Sequence, residues 1–383
     1  MDHTLTRVAV LGSTGSVGRQ TLDVVRAYPD RFQVTGLAAG QNVELLLDQV
    51  AEFKPGLVCC VDPTSLRDRV DASVRVASLT EIACDPEVDV VVSAIVGKDG
   101  LDPTRAALEA GKCVALANKE AMVMAGNLLT QAARRGGGEI RPVDSEHSAV
   151  WQCLMGEDRD SVRRLILTAS GGALRDLPVE ALAEVSPEKA LAHPTWQMGR
   201  RITVDSATLF NKGLEVIEAR WLFDIPYEQI DIVLHRESII HSMVEMVDGS
   251  LKAQLSLPDM RLPIQYALTY PERLPLDLLS VDFVKLGSLN FGRMDMERYP
   301  CLGVALAAGR KGGTYPAAIA AADEEAVAAF LDGHLRFTDI PHLLAGALDK
   351  HLPDTAASLS AIMDADAWGR RFAAEWIKEH SWT

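Results

Sequence analysis

Residues 7–18 read Arg7-Val8-Ala9-Val10-Leu11-Gly12-Ser13-Thr14-Gly15-Ser16-Val17-Gly18. A short apolar run ends in glycines spaced three apart, and a helical pattern with apolar Val17, Leu22, Val24 and Val25 follows at once. In a strand–turn–helix unit of this kind the glycines let the backbone approach a pyrophosphate closely, and the free N–H groups of the helix start attract the anion. The hydroxyls of Ser13, Thr14 and Ser16 add donors. The stretch predicts a dinucleotide seat on Gly12, Ser13, Thr14, Gly15, Ser16 and Val17, with a plain tight turn as the alternative. Glycine breaks the apolar run well short of the ~18 residues a membrane span needs, so it reads as a strand and not as a signal peptide.

Outward from this turn, β-branched runs alternate with helical patterns to about residue 150. The expected strands are 7–11, 33–38, 57–61, 88–94, 113–117 and 139–142, and runs apolar on both faces suit a parallel sheet covered by helices. Beyond residue 150 the expected strands are 164–168 and 230–234, and 239–247 with 251–255 form a hairpin in which Asp248-Gly249 supplies a tight two-residue turn. The pattern is irregular around 271–291, and Ala-rich helices are expected over 317–331 and 356–378. The fold class is α/β: a doubly wound, Rossmann-like NADP domain (1–150), a mixed α/β catalytic domain (151–274), a linker (275–296) and a C-terminal helical domain (297–383).

The 383 residues are 48 % hydrophobic and carry a formal net charge of −15, enough apolar material for two or three domains. Without a Lys/Arg-rich block, this acidity argues against nucleic acid or an anionic membrane as partner and favours a small-molecule enzyme. The six cysteines form no C-x-x-C pair, which predicts free thiols in a reducing cytoplasm.

Catalytic groups of open α/β sheets gather past the carboxyl ends of strands. Asn118-Lys119-Glu120 and Asp144-Ser145-Glu146-His147 both fall there. If the backbone is extended, Asp144 and Glu146 face one side and suit a hard divalent cation such as Mg²⁺ or Mn²⁺; the alternative is a helix N-cap at Asp144 or Ser145. Ser170-Gly171-Gly172 ends a strand. Asp205-Ser206 precedes a helix whose stripe Phe210, Leu214, Ile217 and Trp221 faces the core, with Asn211, Lys212 and Glu215 on the neighbouring face, either a phosphate clamp or a solvated surface. His193-Pro194-Thr195-Trp196-Gln197-Met198-Gly199 reads as a lid loop or as a loop with Trp196 packed on the surface. His235 and His241 fall on strands. The stretch Ala38-Ala39-Gly40-Gln41-Asn42 has no carboxylate to repel a 2′-phosphate, which favours NADP over NAD, and no basic residue to pair with one.

Five of these segments, in order, resemble the 1-deoxy-D-xylulose 5-phosphate reductoisomerase family: 117–120, 144–147, 170–172, 193–199, and 204–208 with 211–215. The resemblance implies an NADPH-dependent isomerisation and reduction of that sugar phosphate to 2-C-methyl-D-erythritol 4-phosphate. It further implies a homodimer and a divalent metal (Mg²⁺, Mn²⁺ or Co²⁺) on Asp144, Glu146 and Glu215. Ser170, Ser206, Asn211 and Lys212 are then the phosphate site with His193 beside it, Lys119 and Ser145 meet substrate oxygens, Trp196 and Met198 belong to a closing flap, and His241 lies nearby. The cofactor site extends to Gly40, Gln41, Asn42, Asn118, Glu120 and Gly199. The chain departs from the family pattern at Gln41, where a basic residue is common, at Arg236-Glu237, where Pro-Gln is common, and at Asp323, where Asn is common. Residues 162–212 carry seven Lys/Arg against five Asp/Glu, a mildly positive stretch suited to a phosphorylated substrate.

Overall fold

The computed structural model describes residues 5–66, 69–278, 280–354 and 358–380. β1 (Thr6–Leu11) is central to a seven-stranded parallel sheet. β2 (Phe32–Ala38), β3 (Leu57–Cys59) and β4 (Arg75–Val76) extend it on one side, and β5 (Val90–Ser93), β6 (Cys113–Leu116) and β7 (Glu139–Pro142) on the other. Val8, Val10, Val91 and Val92 are fully buried, as strands covered on both faces must be. The order reverses between β2 and β5, so the carboxyl end of β1 opens into the crevice where such sheets bind nucleotides. The helices of this part are α1 (Ser16–Ala27), α2 (Val43–Phe53), α3 (Leu79–Cys84), α4 (Leu101–Glu109) and α5 (Lys119–Gly136). Leu22 and Val25 of α1 and Leu46 of α2 pack with Val8, Val10, Val34 and Leu37 of the sheet in one core.

A second, four-stranded sheet has the order β11-β10-β8-β9, with β8 (Val162–Ala169), β9 (Ile230–Leu234), β10 (Ile240–Met246) and β11 (Leu251–Leu255). β8 pairs with β9 in parallel and with β10 antiparallel. α6 (Ser145–Leu154), α7 (Pro187–Ala190), α8 (Arg200–Thr208) and α9 (Phe210–Phe223) precede or connect these strands. α10 (Arg261–Thr269) packs through Ile264, Ala267 and Leu268 into the core of the parallel sheet. After α11 (Phe283–Leu286), the helices α12 (Pro300–Lys311), α13 (Tyr315–Leu331), α14 (Asp339–Lys350) and α15 (Leu359–His380) share one core with α8 and α9. The helix expected from Ala356 begins at Leu359; 355–357 lie outside the described residues.

By contact density the chain forms two compact units. One comprises the described residues of Met1–Met122, Asn127–Ser148 and Asp259–Leu278; the other those of Val123–Gly126, Ala149–Pro258 and Leu279–Thr383.

Three local expectations are corrected. The Asp248-Gly249 turn is not a two-residue turn with two left-handed residues: only Gly249 has positive φ, at +87°, and Asp248 Oδ1 accepts from Ser250 N at 2.9 Å in an Asx-type turn. The backbone at Asp144 to Glu146 is not extended, because α6 starts at Ser145. Asp205 and Ser206 do not precede a helix but lie in the last turns of α8, and Leu209 at φ +56° separates α8 from α9.

Candidate active site

In the first unit the glycine turn is tight for steric reasons. Gly12 has φ +92°, and a Cβ there would lie 2.5 Å from Ala94 O; a Cβ on Gly18 would lie 2.2 Å from Gly12 O. Ser13 is fully buried, with its Oγ donating to Gln49 Oε1 at 2.7 Å, so this hydroxyl anchors the turn to α2. Thr14, Gly15, Ser16 and Val17 line the accessible start of α1, whose N-cap Gly15 offers no side-chain cap, leaving first-turn N–H groups to an anion. Gly40, Gln41 and Asn42 are exposed beyond β2; Asn42 Oδ1 caps α2 by accepting from Leu45 N at 3.2 Å.

Neighbouring β6 and β7 run in register from Cys113/Glu139 to Leu116/Pro142, so the residues just past their ends lie side by side. Asn118 caps α5, its Oδ1 accepting from Ala121 N at 2.7 Å, while its Nδ2 donates to the carbonyls of Ile95 and Gly97. Glu120 is half-buried in the first turn of α5. Lys119, buried, pairs with Asp144 Oδ2 at 2.7 Å. The fully buried His147 holds Nδ1 3.9 Å from the same oxygen, and Ser145 Oγ donates to Glu146 Oε2 at 2.6 Å. Two carboxylates therefore stand at the start of α6 with a cation and hydroxyl beside them.

In the second unit β8 ends at Ala169, and Ser170 follows it directly. Gly171 and Gly172 have φ +83° and +72°, and a Cβ on Gly172 would lie 2.5 Å from both Ala207 Cα and Ser206 O. That contact brings the Ser170 turn against the Ser206 turn of α8. Ser170 Oγ lies 3.0 Å from His193 Nε2 and accepts from Gly172 N at 3.2 Å. His193 Nδ1 accepts from Thr195 N at 3.3 Å and Trp196 N at 3.0 Å, so the proton of the neutral ring sits on Nε2 and points at Ser170. Burial, with Arg175 nearby, pushes His193 down to about 4. Ser170 Oγ thus receives two donors and its own hydrogen is free to turn toward an acceptor.

α9 buries its expected polar face: Lys212 is 4 % and Glu215 1 % exposed. Lys212 Nζ and Asn211 Nδ2 both donate to the Glu215 carboxylate, the latter at 2.6 Å. Both groups are buried and partnered by each other in place of water, which rules out the solvated surface. Leu209 is held in the left-handed break that places this face one turn beyond Ser206, at a cost of about 1 kcal/mol. Trp196 and Met198 are half-buried in the loop before α8, and exposed Gly199 is the N-cap of α8. The Trp196 ring lies 6.1 Å from that of His241, whose Nε2 is 2.9 Å from Ser256 Oγ. His235 lies just past β9, its ring stacked on Phe291.

Family models match most of the chain: 1-deoxy-D-xylulose 5-phosphate reductoisomerase over residues 8–126, the C-terminal domain of that enzyme over 140–223, and the DXP reductoisomerase C-terminal domain over 255–372. A reductoisomerase of Heliobacterium modesticaldum is 52 % identical, the match covering 97 % of this chain and 98 % of that one. The chain belongs to the 1-deoxy-D-xylulose 5-phosphate reductoisomerase family.

A reductoisomerase of Geobacillus is 50 % identical over 95 % of this chain and 98 % of its own. Among solved structures, the Zymomonas mobilis reductoisomerase in complex with NADPH has 42 % identity and a TM-score of 0.91, covering 98 % of this chain and all of that one. A reductoisomerase in complex with NADPH, fosmidomycin and magnesium has 40 % identity and a TM-score of 0.93, covering 98 % of both chains. Sequence reasoning passed over several partners of the proposed reductoisomerase residues: Gln49 behind Ser13, Thr195 on His193, Ser256 on His241 and His147 beside Asp144. Of these only His147 and Thr195 stood inside a motif; Gln49 and Ser256 carry no local signal.

Proposed function

We propose that this chain carries out the reaction of its family, the metal-dependent isomerisation of 1-deoxy-D-xylulose 5-phosphate and NADPH-dependent reduction of the product to 2-C-methyl-D-erythritol 4-phosphate. The observation that carries this reading is the near full-length match at 52 % identity. Asp144, Glu146 and Glu215 are the assigned carboxylate ligands; three oxygen donors of this kind fit a hard divalent cation, and the buried Glu215 carboxylate is held in place by Lys212 and Asn211. When bound, such a cation polarises the substrate ketone, and NADPH supplies the hydride. Lys119 and Ser145 orient the substrate's oxygens. Ser170, Ser206, Asn211 and Lys212 bind the phosphate, and the neutral His193 directs Ser170 toward it.

Binding energy gathered at the phosphate drives closure of the Trp196 to Met198 loop, with His241 beneath it, which excludes water. The glycine turn with Gly40, Gln41, Asn42, Asn118, Glu120 and Gly199 seats the cofactor. The partition proposed by function is 1–150 for the cofactor, 151–274 for catalysis, 275–296 as linker and 297–383 as the helical part, with Lys119, Asp144, Ser145 and Glu146 lent to catalysis by the first segment and Gly199 lent to the cofactor by the second. Two further assignments complete the proposal. A homodimer forms through the open β11 edge, where Val247 and Leu251 are exposed beside a groove of about 560 Å³ lined by Ile166, Ile232, Met243 and Phe291. The location is cytoplasmic, in keeping with six free cysteines, of which Cys113 is pushed up to about 12 and Cys153 to about 11 by burial. No helix among the described residues is long and apolar enough to cross a membrane.

The test is loss of nicotinamide absorbance when the protein meets the sugar phosphate, NADPH and Mg²⁺. Folded protein with no substrate-dependent loss contradicts the reading. A dehydrogenase without the isomerisation would keep its turnover in Glu215→Gln, whereas the present reading expects a loss on the order of a thousandfold.

A further inference from the structure

Asp205, the residue before Ser206, is 4 % exposed, and Asp323 on α13 is 0 % exposed. Their carboxyl groups lie within hydrogen-bonding reach of each other. Among the described residues no ordinary donor lies within hydrogen-bond distance of either Asp323 oxygen. The groups around them come from four helices. Arg201 on α8 places Nη2 3.9 Å from Asp323, Nε 3.7 Å from Asp205 and Nη1 3.5 Å from Glu324. Arg370 on α15 is engaged with Glu324, Glu325 and Asp366 at 2.6, 2.9 and 3.0 Å. α12 contributes the fully buried Cys301, whose thiol is pushed up by burial and by both aspartates. Two guanidinium groups therefore face five carboxyl groups, of which Asp205, Asp323 and Asp366 are buried while Glu324 and Glu325 reach solvent.

Two touching carboxylates in such a place repel strongly, and neither can donate to the other. One proton between them turns the repulsion into a hydrogen bond and gives one oxygen of each carboxyl group a partner. Burial first, then the Asp205 charge, holds Asp323 well above the ordinary carboxylate range. An Asn in place of Asp323 would make the same bond without a shared proton.

We propose that Asp205 and Asp323 share one proton, and that this pair fixes the α8 turn bearing Ser206, making Asp323 a positioning residue for the phosphate end of the substrate. The inference rests on the assignment of Ser206 to the phosphate site. Because the folded state keeps a proton that the unfolded chain releases above about pH 4, this pair's contribution to stability falls as pH rises from there, and Asp323→Asn removes that fall.

The experiment compares the full-length native protein, Asp323→Asn and Asp323→Ala. Infrared spectra near neutral pH should show a protonated-carboxyl band in the native protein that Asp323→Asn loses. The melting temperature of Asp323→Asn should gain on the native value by roughly 2 °C or more between about pH 5 and about pH 8. KM for the sugar phosphate should stay within about threefold in Asp323→Asn and rise about tenfold or more in Asp323→Ala, with a smaller change in kcat. The dissociation constant for inorganic phosphate should follow KM. If Asp323→Ala does not fold, Asp323→Glu, which adds a methylene to the contact, should show the same rise. An unchanged infrared band or a flat melting difference overturns the shared proton; unchanged KM and phosphate affinity in the Ala or Glu variant overturn the positioning role. If the native protein turns over no substrate, the functional reading fails, while the infrared, melting and inorganic-phosphate measurements still decide this one.

Discussion

At the scale of the residue, His193 and Glu215 show how surroundings set what a side chain can do. His193 takes two backbone N–H groups on Nδ1 and keeps its proton on Nε2, and burial pushes it down to about 4. A histidine lowered below its unfolded value near 6.5 destabilises the fold as pH falls from there toward about 4, where the unfolded chain binds the extra proton. His193→Asn should remove that acid-side loss, seen as a smaller drop in melting temperature between about pH 6.5 and about pH 4.5. The native ring should remain neutral by NMR down to about pH 5. Glu215 is the counter-charge of the buried Lys212, so Glu215→Gln should cost the metal-free protein about 3–5 kcal/mol in chemical denaturation, in addition to its effect on turnover. A solvated-surface pair would leave stability within about 0.5 kcal/mol.

At the scale of the element, turns and helix junctions carry the site. Gly172 combines φ +72° with a contact that leaves no room for a Cβ, and its neighbour is helix backbone that cannot swing aside. Gly172→Ala should therefore displace α8, raising KM for the sugar phosphate by about tenfold or more and lowering stability by about 2 kcal/mol or more. Gly18→Ala should weaken NADPH by a similar factor in fluorescence titration, with KM for the sugar phosphate little changed. What the sequence made legible follows from the same physics. The parallel strands showed themselves because residues such as Val91 and Val92 are apolar on both faces, and the glycine turn because no other residue fits Gly12. The two-residue β4 is too short to make a pattern. The α8–α9 break escaped because Leu209 is not a residue type that announces a left-handed conformation. Burial of Lys212 and Glu215 escaped spacing arguments, since a polar face looks the same whether water or buried partners satisfy it; only the resemblance pointed the right way.

At the scale of the whole molecule, the net charge of −15 includes buried carboxyl groups, among them Asp205, Glu215, Glu218, Asp323 and Asp366, and a mildly positive stretch lies at residues 162–212 where the phosphate is assigned. The return of 259–278 to the parallel-sheet unit had no sequence signal, because Ile264, Ala267 and Leu268 would suit any apolar face. The β11 edge bears on assembly: Leu251→Arg should convert a dimer to a monomer in light scattering, and an unchanged dimer would place the interface elsewhere. The functional claim is tested most directly by identifying the product. The protein should be incubated with ¹³C-labelled 1-deoxy-D-xylulose 5-phosphate, Mg²⁺ and NADPH deuterated at the transferred position, and the mixture examined by NMR. The account predicts a branched 2-C-methyl-D-erythritol 4-phosphate skeleton carrying one deuterium on the carbon that was the aldehyde, and none when the metal is chelated. A reduced but unbranched sugar phosphate, or the same product at the same rate without metal, would contradict it.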